Sequence, residues 1–229
     1  MGDVVSLSQD DAHKIVDVLR KRAGGSIVIV DSAAQEFVAT LDVDRGDVRA
    51  RLVESIPHAR AESSREIVLA QAIPKGQKLD YVVEKATELG VTRVIPVRSS
   101  RSVAGASENK LTRWRNLARS AAQQSGRTRI PEIDAPFDFA AIVAEIRNFD
   151  AAFFAWELAR EPLRATLQAV GEARSILLIV GPEGGFSHEE AEAAIAAGAH
   201  PVSLGARILR TETAPLVLIS AVLYEGGEL

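Results

Sequence analysis

The stretch ILLIVGPEGGFSHEE (residues 176–190) decides the fold of the second half of the chain. Its apolar start predicts a short strand that is buried on both faces of a parallel sheet. Ser187 and Glu190 have the spacing of a capping box, and Gly198 follows as a stop, so the pattern predicts a helix over residues 189–197. The glycine-rich loop therefore lies at the carboxyl end of a strand, before a helix N-terminus, where open α/β sheets bind polar or anionic ligands.

This loop matches neither of the common nucleotide-binding fingerprints. Gly181, Gly184 and Gly185 do not fit G-x-G-x-x-G, and the Lys-Ser/Thr pair of a P-loop is absent, which disfavours a nucleotide-hydrolysing enzyme. The local pattern alone leaves a tight structural turn and a ligand loop as equal alternatives.

A second loop has the same position relative to its strand. After the strand-like PVSL (201–204) comes GARILRTETAP (205–215), with a glycine at the strand end and Pro215 in the first turn of the next helix. That helix, LVLISAVLY (216–224), is apolar almost all round. It must therefore be covered, either by its own domain or by a second subunit.

Composition limits the classes of function. The chain has 229 residues, is 47% hydrophobic and contains no cysteine, so it can build one large or two modest domains without disulfides, thiolate metal sites or a cysteine nucleophile. The acidic start MGDVVSLSQDD lacks the pattern of a signal peptide, and we expect a soluble, cytoplasmic protein. His13, His58 and His200 lack metal-ligand spacing, and we expect no metal.

The charge of the chain is strongly segregated. The net charge is −4, yet residues 93–129 contain nine basic side chains against the single acid Glu108. Eight of the nine are arginines, whose planar guanidinium suits phosphate groups. A polyanion-facing surface is therefore favoured over a merely solvated helix face.

The pattern along the chain predicts two domains, over residues 1–63 and 66–229, which meet at the polar segment RAESSRE (60–66). The first is a small β-rich domain, with a helix over 13–22 and strands over 26–30, 36–41 and 47–53. The second alternates strands and helices, which predicts an α/β fold with a mostly parallel sheet. Its predicted strands are 67–73, 91–97, 151–156, 176–180 and 201–204; its predicted helices are 77–89, one around Trp114, 138–147, 162–170, 189–197 and 214–224.

The two loops together carry a resemblance to a known family. LLIVGPEGGFSHEE and VSLGARILRTETAPL resemble the closing motifs of the SPOUT-class RNA methyltransferases, in particular the RsmE type, which methylates N3 of a uridine in bacterial 16S ribosomal RNA. Residues 13–31, 75–103 and 113–133 are similar to the same family, so the likeness covers nearly the whole chain. Three departures concern the RNA side: because the sequence starts close to His13, we expect the arginine- and aromatic-containing first strand to be missing, and Ser100 and Gln123 stand where the resemblance leads us to expect glutamates.

The resemblance implies a PUA-like β-barrel that binds RNA, a deep trefoil knot in the α/β domain, and a homodimer. The cofactor implied is S-adenosyl-L-methionine, bent between the two loops, and the partner is 16S rRNA, free or within the assembled small subunit. The implied cofactor-binding residues are Val180, Gly181, Pro182, Glu183, Gly184, Gly185, Leu204, Gly205, Ile208, Leu209, Arg210, Thr211, Thr213, Ala214 and Trp156.

Chemical roles follow from the reaction. Uridine N3 carries a proton at neutral pH, so the enzyme must favour its removal. We expect Arg210 to stabilise negative charge on the uracil oxygens, and Glu212 or Glu183 to accept the proton or to fix Arg210. The alternatives are a phosphate contact for Arg210, a loop-capping carboxylate for Glu183 and helix capping for Thr211 and Thr213.

The expected RNA-binding residues share a basic side chain: Arg20, Arg22, Arg98, Arg101, Arg113, Arg119 and Arg127. A rival from another class is an RNA-binding or ribosome-assembly factor that keeps the fold without activity. Retention of both loop motifs disfavours it, since such a factor needs no methyl donor.

Overall fold

The computed structural model describes residues 2–44, 47–56, 62–102, 107–169 and 171–229. The chain divides into two compact units, residues 1–60 and 61–229. His58, Val103 and the first two residues of the predicted boundary segment 60–66 lie outside the described residues.

The first unit contains a four-stranded antiparallel sheet in its described part, in the order β1-β4-β3-β2. Its strands are β1 (Val4–Ser6), β2 (Ser26–Val30), β3 (Glu36–Asp44) and β4 (Asp47–Ile56). Alternate residues of β3 and β4 are buried, among them Leu41 and Ala50, so one face of this sheet forms the small core. The strand β1, which pairs with β4, was not predicted from the sequence.

The helical segment of the first unit lies earlier than predicted. Helix α1 (Gln9–His13) begins at Ser8, whose side chain accepts a hydrogen bond from the N–H of Asp11. It continues as one π-helical segment over Lys14–Val18. The prediction of a helix over 13–22 was therefore wrong at both ends, because the Ser8 cap fixes an earlier start.

The second unit is an α/β fold built on a parallel sheet in the order β11-β9-β10-β5-β6-β7, with β8 also paired to β6. Its strands are β5 (Glu66–Ala72), β6 (Arg93–Arg98), β7 (Glu132–Ile133), β8 (Phe137–Asp138), β9 (Ala151–Ala155), β10 (Ser175–Val180) and β11 (His200–Val202). Its α-helices are α2 (Lys78–Glu88), α3 (Glu108–Ser125), α4 (Phe139–Glu145), α5 (Leu163–Ala169), α6 (His188–Ala196) and α7 (Ala214–Glu225).

Both faces of this sheet are covered. On one face Ile67 and Leu69 of β5 belong to a core that includes residues of α2, α3 and α7. On the other face Val68 and Ala70 belong to a second core with residues of α4 and α6. Burial on both sides is why the central strands have continuous apolar sequences.

The apolar helix α7 is covered by its own unit. Leu218, Ile219, Val222 and Leu223 are all buried within the single chain. Of the two coverings that the sequence left open, the chain's own domain therefore accounts for most of this helix. In the described part of the chain no helix combines the length and the apolar character that crossing a membrane requires.

Candidate active site at the carboxyl edge of the sheet

The two glycine-containing loops meet at one edge of the parallel sheet. They follow β10 and β11, which flank β9 on either side, so both loops begin at the carboxyl edge. The hydroxyl of Thr211 donates to the carbonyl oxygen of Gly181 at 2.7 Å. Residues 30 positions apart in sequence are thus joined directly, at the edge where α/β sheets place ligands.

The capping of α6 is as the sequence predicts. The Ser187 hydroxyl accepts from the N–H of Glu190, and the Glu190 carboxylate accepts from the N–H of Ser187. The same carboxylate accepts hydrogen bonds from the backbone and hydroxyl of Ser100, at 2.7 and 2.9 Å. Ser100 therefore binds the start of α6.

Gln71, a residue that the sequence analysis missed, contacts both loops. It is fully buried in β5, and its Nε2 lies 3.2 Å from Thr211 Oγ1 and 3.4 Å from the Gly181 carbonyl oxygen. The signal was present in the sequence: Gln71 is the one polar residue within the apolar strand IVLAQAI (67–73). A buried amide in such a strand requires hydrogen-bond partners.

Glu183 is held by the start of α2. Its Oε1 accepts from Lys78 Nζ at 2.7 Å and from the backbone N–H of Lys75 at 3.2 Å. Burial raises the pKa of Glu183, but hydrogen bonds from Lys78 and from backbone N–H groups outweigh it and hold the pKa below its ordinary value. The carboxylate is therefore ionised and fixes the GPEGG loop to α2.

Arg210 and Glu212 form a looser pair. Arg210 Nη1 lies 3.8 Å from Glu212 Oε1, which is an ion-pair distance and longer than a hydrogen bond. The Arg210 side chain is 83% exposed, whereas that of Glu212 is 17% exposed. Glu212 Oε2 is buried without a hydrogen-bond partner among the described residues, and Lys78 Nζ lies 3.8 Å from it. An exposed cation thus lies beside a carboxylate with one oxygen that accepts no hydrogen bond from the described residues.

The glycines of both loops meet different requirements. Gly185 has φ +65°, and a Cβ there would lie 2.7 Å from Glu157 Oε1. Gly205 has φ +106°, which side chains rarely adopt, and a Cβ would enter open space. Gly184 has an ordinary backbone conformation, and its carbonyl accepts from Arg101 Nη1 at 2.7 Å. Of these three glycines, only Gly184 leaves room for a side chain without backbone strain.

Apolar side chains surround these loops. Leu204 and Leu209 are partly buried against the core that includes residues of α2, α3 and α7, whereas Ile208 is almost fully exposed. Trp156, at the end of β9, is partly buried, and its ring lies 5.5 Å from the ring of the exposed His188. The remaining predicted cofactor residues divide by burial: Val180, Pro182 and Ala214 are buried, and Thr213 is exposed.

Comparisons with known proteins identify the family of the chain. The family model for the RNA methyltransferase domain matches residues 61–223. The chain belongs to this RNA methyltransferase family.

Individual proteins of the RNA methyltransferase family are similar to this chain over nearly its whole length. Ribosomal RNA small subunit methyltransferase E of Bacillus subtilis is 31% identical, over 96% of this chain and 90% of that protein. The protein of the same name from Mycobacterium tuberculosis is 34% identical, over 96% of this chain and 86% of its own. The crystal structure of the Neisseria gonorrhoeae protein of that name, bound to S-adenosyl methionine, has a TM-score of 0.88 at 30% identity and covers 97% of this chain and 92% of its own.

The basic residues that we expect to bind RNA lie in different environments. Arg98 pairs with Asp138 at 2.7 Å, Arg113 pairs with Asp80 at 2.7 Å, and Arg119 is exposed on α3. In the first unit Arg20 and Arg22 are exposed, as is Gln123 in the second.

The prediction that Arg127 contacts RNA was wrong. Its side chain is only 1% exposed and pairs with Glu62 at 2.7 Å. Its Nη1 also donates to the carbonyl oxygens of Thr87 and Val91, at 3.0 and 2.8 Å. Arg127 thus satisfies the carbonyls that end α2 and precede β6, which is a structural role.

Proposed function

We propose that this protein transfers a methyl group from S-adenosyl-L-methionine to N3 of a uridine in 16S ribosomal RNA. The observation that carries the proposal is the direct contact of two glycine-containing loops, through Thr211 and Gly181, at the carboxyl edge of the sheet. Membership of the RNA methyltransferase family and the names of relatives at 31–34% identity support the substrate class.

The residues of the two loops fit the cofactor. S-adenosylmethionine supplies, when bound, an electrophilic methyl group on a sulfonium. Its adenine needs an apolar surface and backbone hydrogen-bonding groups. The partly buried Leu204 and Leu209 offer the apolar surface, and Gly205, which has no atoms within 4 Å of its Cβ position, offers accessible backbone groups. The Neisseria gonorrhoeae relative was solved with this cofactor. Gly181, Gly184 and Gly205 are therefore the residues that we assign to close backbone approach.

Arg210 is the residue that we assign to the uracil. Its exposed guanidinium can approach a carbonyl oxygen of the base and stabilise the negative charge that develops when N3 loses its proton. Glu212 orients this guanidinium, and its free buried oxygen is an acceptor for the N3 proton. Glu183, whose pKa is lowered by Lys78 and backbone N–H groups despite burial, fixes the loop instead.

We also propose the finer features of the architecture. The antiparallel sheet of residues 1–60 is a PUA-like barrel that binds RNA through Arg20 and Arg22, and residues 61–229 form a SPOUT domain whose carboxyl end forms a deep trefoil knot. The protein is a homodimer. The basic face of α3, with Arg113 and Arg119, contacts RNA phosphates.

One experiment tests the proposed function directly. Small-subunit RNA from a strain lacking this gene is incubated with the purified protein and labelled S-adenosylmethionine, and the modified nucleosides are identified by mass spectrometry. We expect one new 3-methyluridine, and its absence in Arg210→Ala. Cofactor binding without methyl transfer to free RNA or to small subunits would favour the non-catalytic assembly factor.

A further inference from the structure

Gln71 lies where the two loops meet. Its strand β5 is the immediate neighbour of β10, and Gln71 is in register with Val180, the residue before the GPEGG loop. The Nε2 atom of Gln71 donates to Thr211 Oγ1 at 3.2 Å, and Thr211 Oγ1 donates to the Gly181 carbonyl oxygen at 2.7 Å. The Gly181 carbonyl also lies 3.4 Å from Gln71 Nε2. One amide group therefore binds a residue of each loop.

Packing alone does not account for an amide at this place. On the same face of β5 the neighbours of Gln71 are the apolar core residues Ile67, Leu69 and Ile73. Gln71 Oε1 is buried and has no hydrogen-bond partner among the described residues, which destabilises the fold relative to an apolar side chain. All of the side chain's hydrogen bonds involve Nε2, whose two hydrogens are shared among the carbonyl oxygens of Ala72 and Gly181 and the hydroxyl oxygen of Thr211.

The position of Gly181 explains what these hydrogen bonds achieve. Gly181 is the first residue after the rigid strand β10, and Gly184 and Gly185 follow within the same loop. Glycine has more backbone freedom than any other residue, so a binding loop rich in glycine must be restrained by other groups. Thr211, in the other loop, is buried and directly follows the exposed Arg210 in the sequence.

We propose that Gln71 and Thr211 are positioning residues, which hold the two loops in the arrangement that binds the cofactor. The inference rests on the proposed function, since it takes these loops as the S-adenosylmethionine site. Neither side chain needs to contact the ligand. The Gln71–Thr211–Gly181 hydrogen bonds fix the loops before binding, so that less conformational entropy is lost when the cofactor binds.

The experiment compares cofactor affinity with stability in matched variants. Gln71→Met keeps the length of the side chain and removes its donor, Thr211→Val removes the hydroxyl, and Thr211→Ser keeps it. Thr87→Val is the control, because Thr87 is equally buried and its hydroxyl donates at 2.7 Å to Val83 within α2, away from both loops. Affinity for S-adenosylmethionine and for S-adenosylhomocysteine is measured by calorimetry below the unfolding midpoint of every variant.

We expect Gln71→Met and Thr211→Val each to weaken both ligands by about 10-fold, the effect of losing one or two buried hydrogen bonds. Thr211→Ser should restore the wild-type affinity, and Thr87→Val should lower the unfolding temperature without changing affinity. The double variant Gln71→Met/Thr211→Val should lose less than the product of the two single effects, because both belong to one network.

Two results would overturn the inference. One is wild-type affinity in folded Thr211→Val, which remains decisive even where Gln71→Met does not fold. The other is an equal loss of affinity in Thr87→Val, which would make the effect a general consequence of reduced stability. Absence of binding to the wild-type protein would instead remove the proposed cofactor site, and the inference with it.

Discussion

At the scale of single residues, the two glutamates of the loops have different environments. Glu183 accepts hydrogen bonds from Lys78 and from the backbone of Lys75. Burial raises its pKa, yet these donors hold it below the ordinary value of 4.5. A carboxylate with a lowered pKa binds protons weakly and suits an anchor rather than a base. Glu212 differs in that one of its buried oxygens accepts no hydrogen bond from the described residues.

The Glu183 anchor predicts a pH dependence of stability. Because the folded-state pKa is lowered, the carboxylate stabilises the fold fully above its ordinary pKa of 4.5, and this contribution is lost as pH falls through the folded-state value. We expect Glu183→Gln to unfold at a lower temperature than the wild type at neutral pH. Its free energy of unfolding should be lower by less than about 1 kcal/mol, because the ion pair of Glu183 with Lys78 is partly exposed. The difference should disappear in acid.

Thermal unfolding from neutral pH to about pH 3 measures this difference. Glu192→Gln is the control, since Glu192 is exposed on α6. A difference between Glu183→Gln and the wild type that stays constant down to the lowest pH would contradict the anchor.

Gly184 provides the cleanest test of the cofactor loop. A Cβ at Gly184 would lie 3.4 Å from Arg101 Cδ, an ordinary contact with a flexible side chain, and its φ is unstrained. Gly184→Val should therefore fold, while its branched side chain occupies space that we assign to the ligand. We expect the affinity for S-adenosylmethionine to fall about 10-fold or more, equivalent to at least about 1.4 kcal/mol.

The matched control for Gly184→Val is Gly171→Val. Gly171 also has an ordinary φ, and its Cβ would lie 3.6 Å from the nearest atom, the Gln168 carbonyl oxygen. Gly205→Val is less informative, because φ +106° strains any side chain there whether or not a ligand binds. Calorimetry showing equal affinity in wild type and Gly184→Val would exclude Gly184 from the pocket.

At the scale of elements, most strands and helices of five residues or more were predictable, whereas the two- and three-residue strands β1, β7 and β8 were missed. The predicted strand at 176–180 is confirmed, with one more residue at its start, because a continuous apolar run between turn residues has few alternatives. Strands β7 and β8 have two residues each, too few to show any periodicity. The π-helical segment after α1 has no sequence pattern of its own.

The site was only partly predictable for a related reason. The loops at Gly181 and Gly205 could be located because a strand, a turn and a helix start are all local signals. The contact of Gln71 with Thr211 spans 140 residues, and that of Arg127 with Glu62 spans 65, so no local pattern encodes either. Arg127 is a residue type that suits RNA binding, but its side chain is buried and has a structural role.

The exposed arginines of α3 lead us to predict how the affinity for RNA depends on salt concentration. Arg113 and Arg119 are exposed on it, and each phosphate that a cation neutralises contributes about 0.7 to the slope of log affinity against log salt for a single strand. We expect the double variant Arg113→Ala/Arg119→Ala to lower that slope by about 1 to 1.5. Filter binding or fluorescence anisotropy over a range of salt concentrations measures it.

The control for this slope is Arg147→Ala, an exposed arginine between α4 and β9, outside the basic segment. It should leave the slope unchanged. If the α3 double variant and Arg147→Ala gave the same slope as the wild type, Arg113 and Arg119 would not contact RNA phosphates.

At the scale of the whole molecule, α7 has a buried face and an exposed face. Leu218 and Val222 are buried in the core of their own unit. An aspartate at either position would leave a buried unpaired charge and unfold the monomer itself, so neither substitution isolates a contact between subunits. The residues left for a second copy are Val217, 38% exposed, and Tyr224, 71% exposed, with the partly exposed Ala221 between them.

These three positions have the i, i+4, i+7 spacing of a single helical stripe, which an isologous contact would pair with the same stripe of a second copy. We expect the wild-type protein to sediment as a dimer and Val217→Arg/Tyr224→Arg as a folded monomer. Since Thr213 leads directly into α7, loss of the dimer should also loosen the second loop and weaken S-adenosylmethionine binding. Ile195→Arg is the control, because Ile195 is 39% exposed on α6 and lies outside the stripe. A wild-type monomer at micromolar concentration with full cofactor affinity would refute the dimer, whereas a dimer unaffected by both arginines would place the interface on another surface.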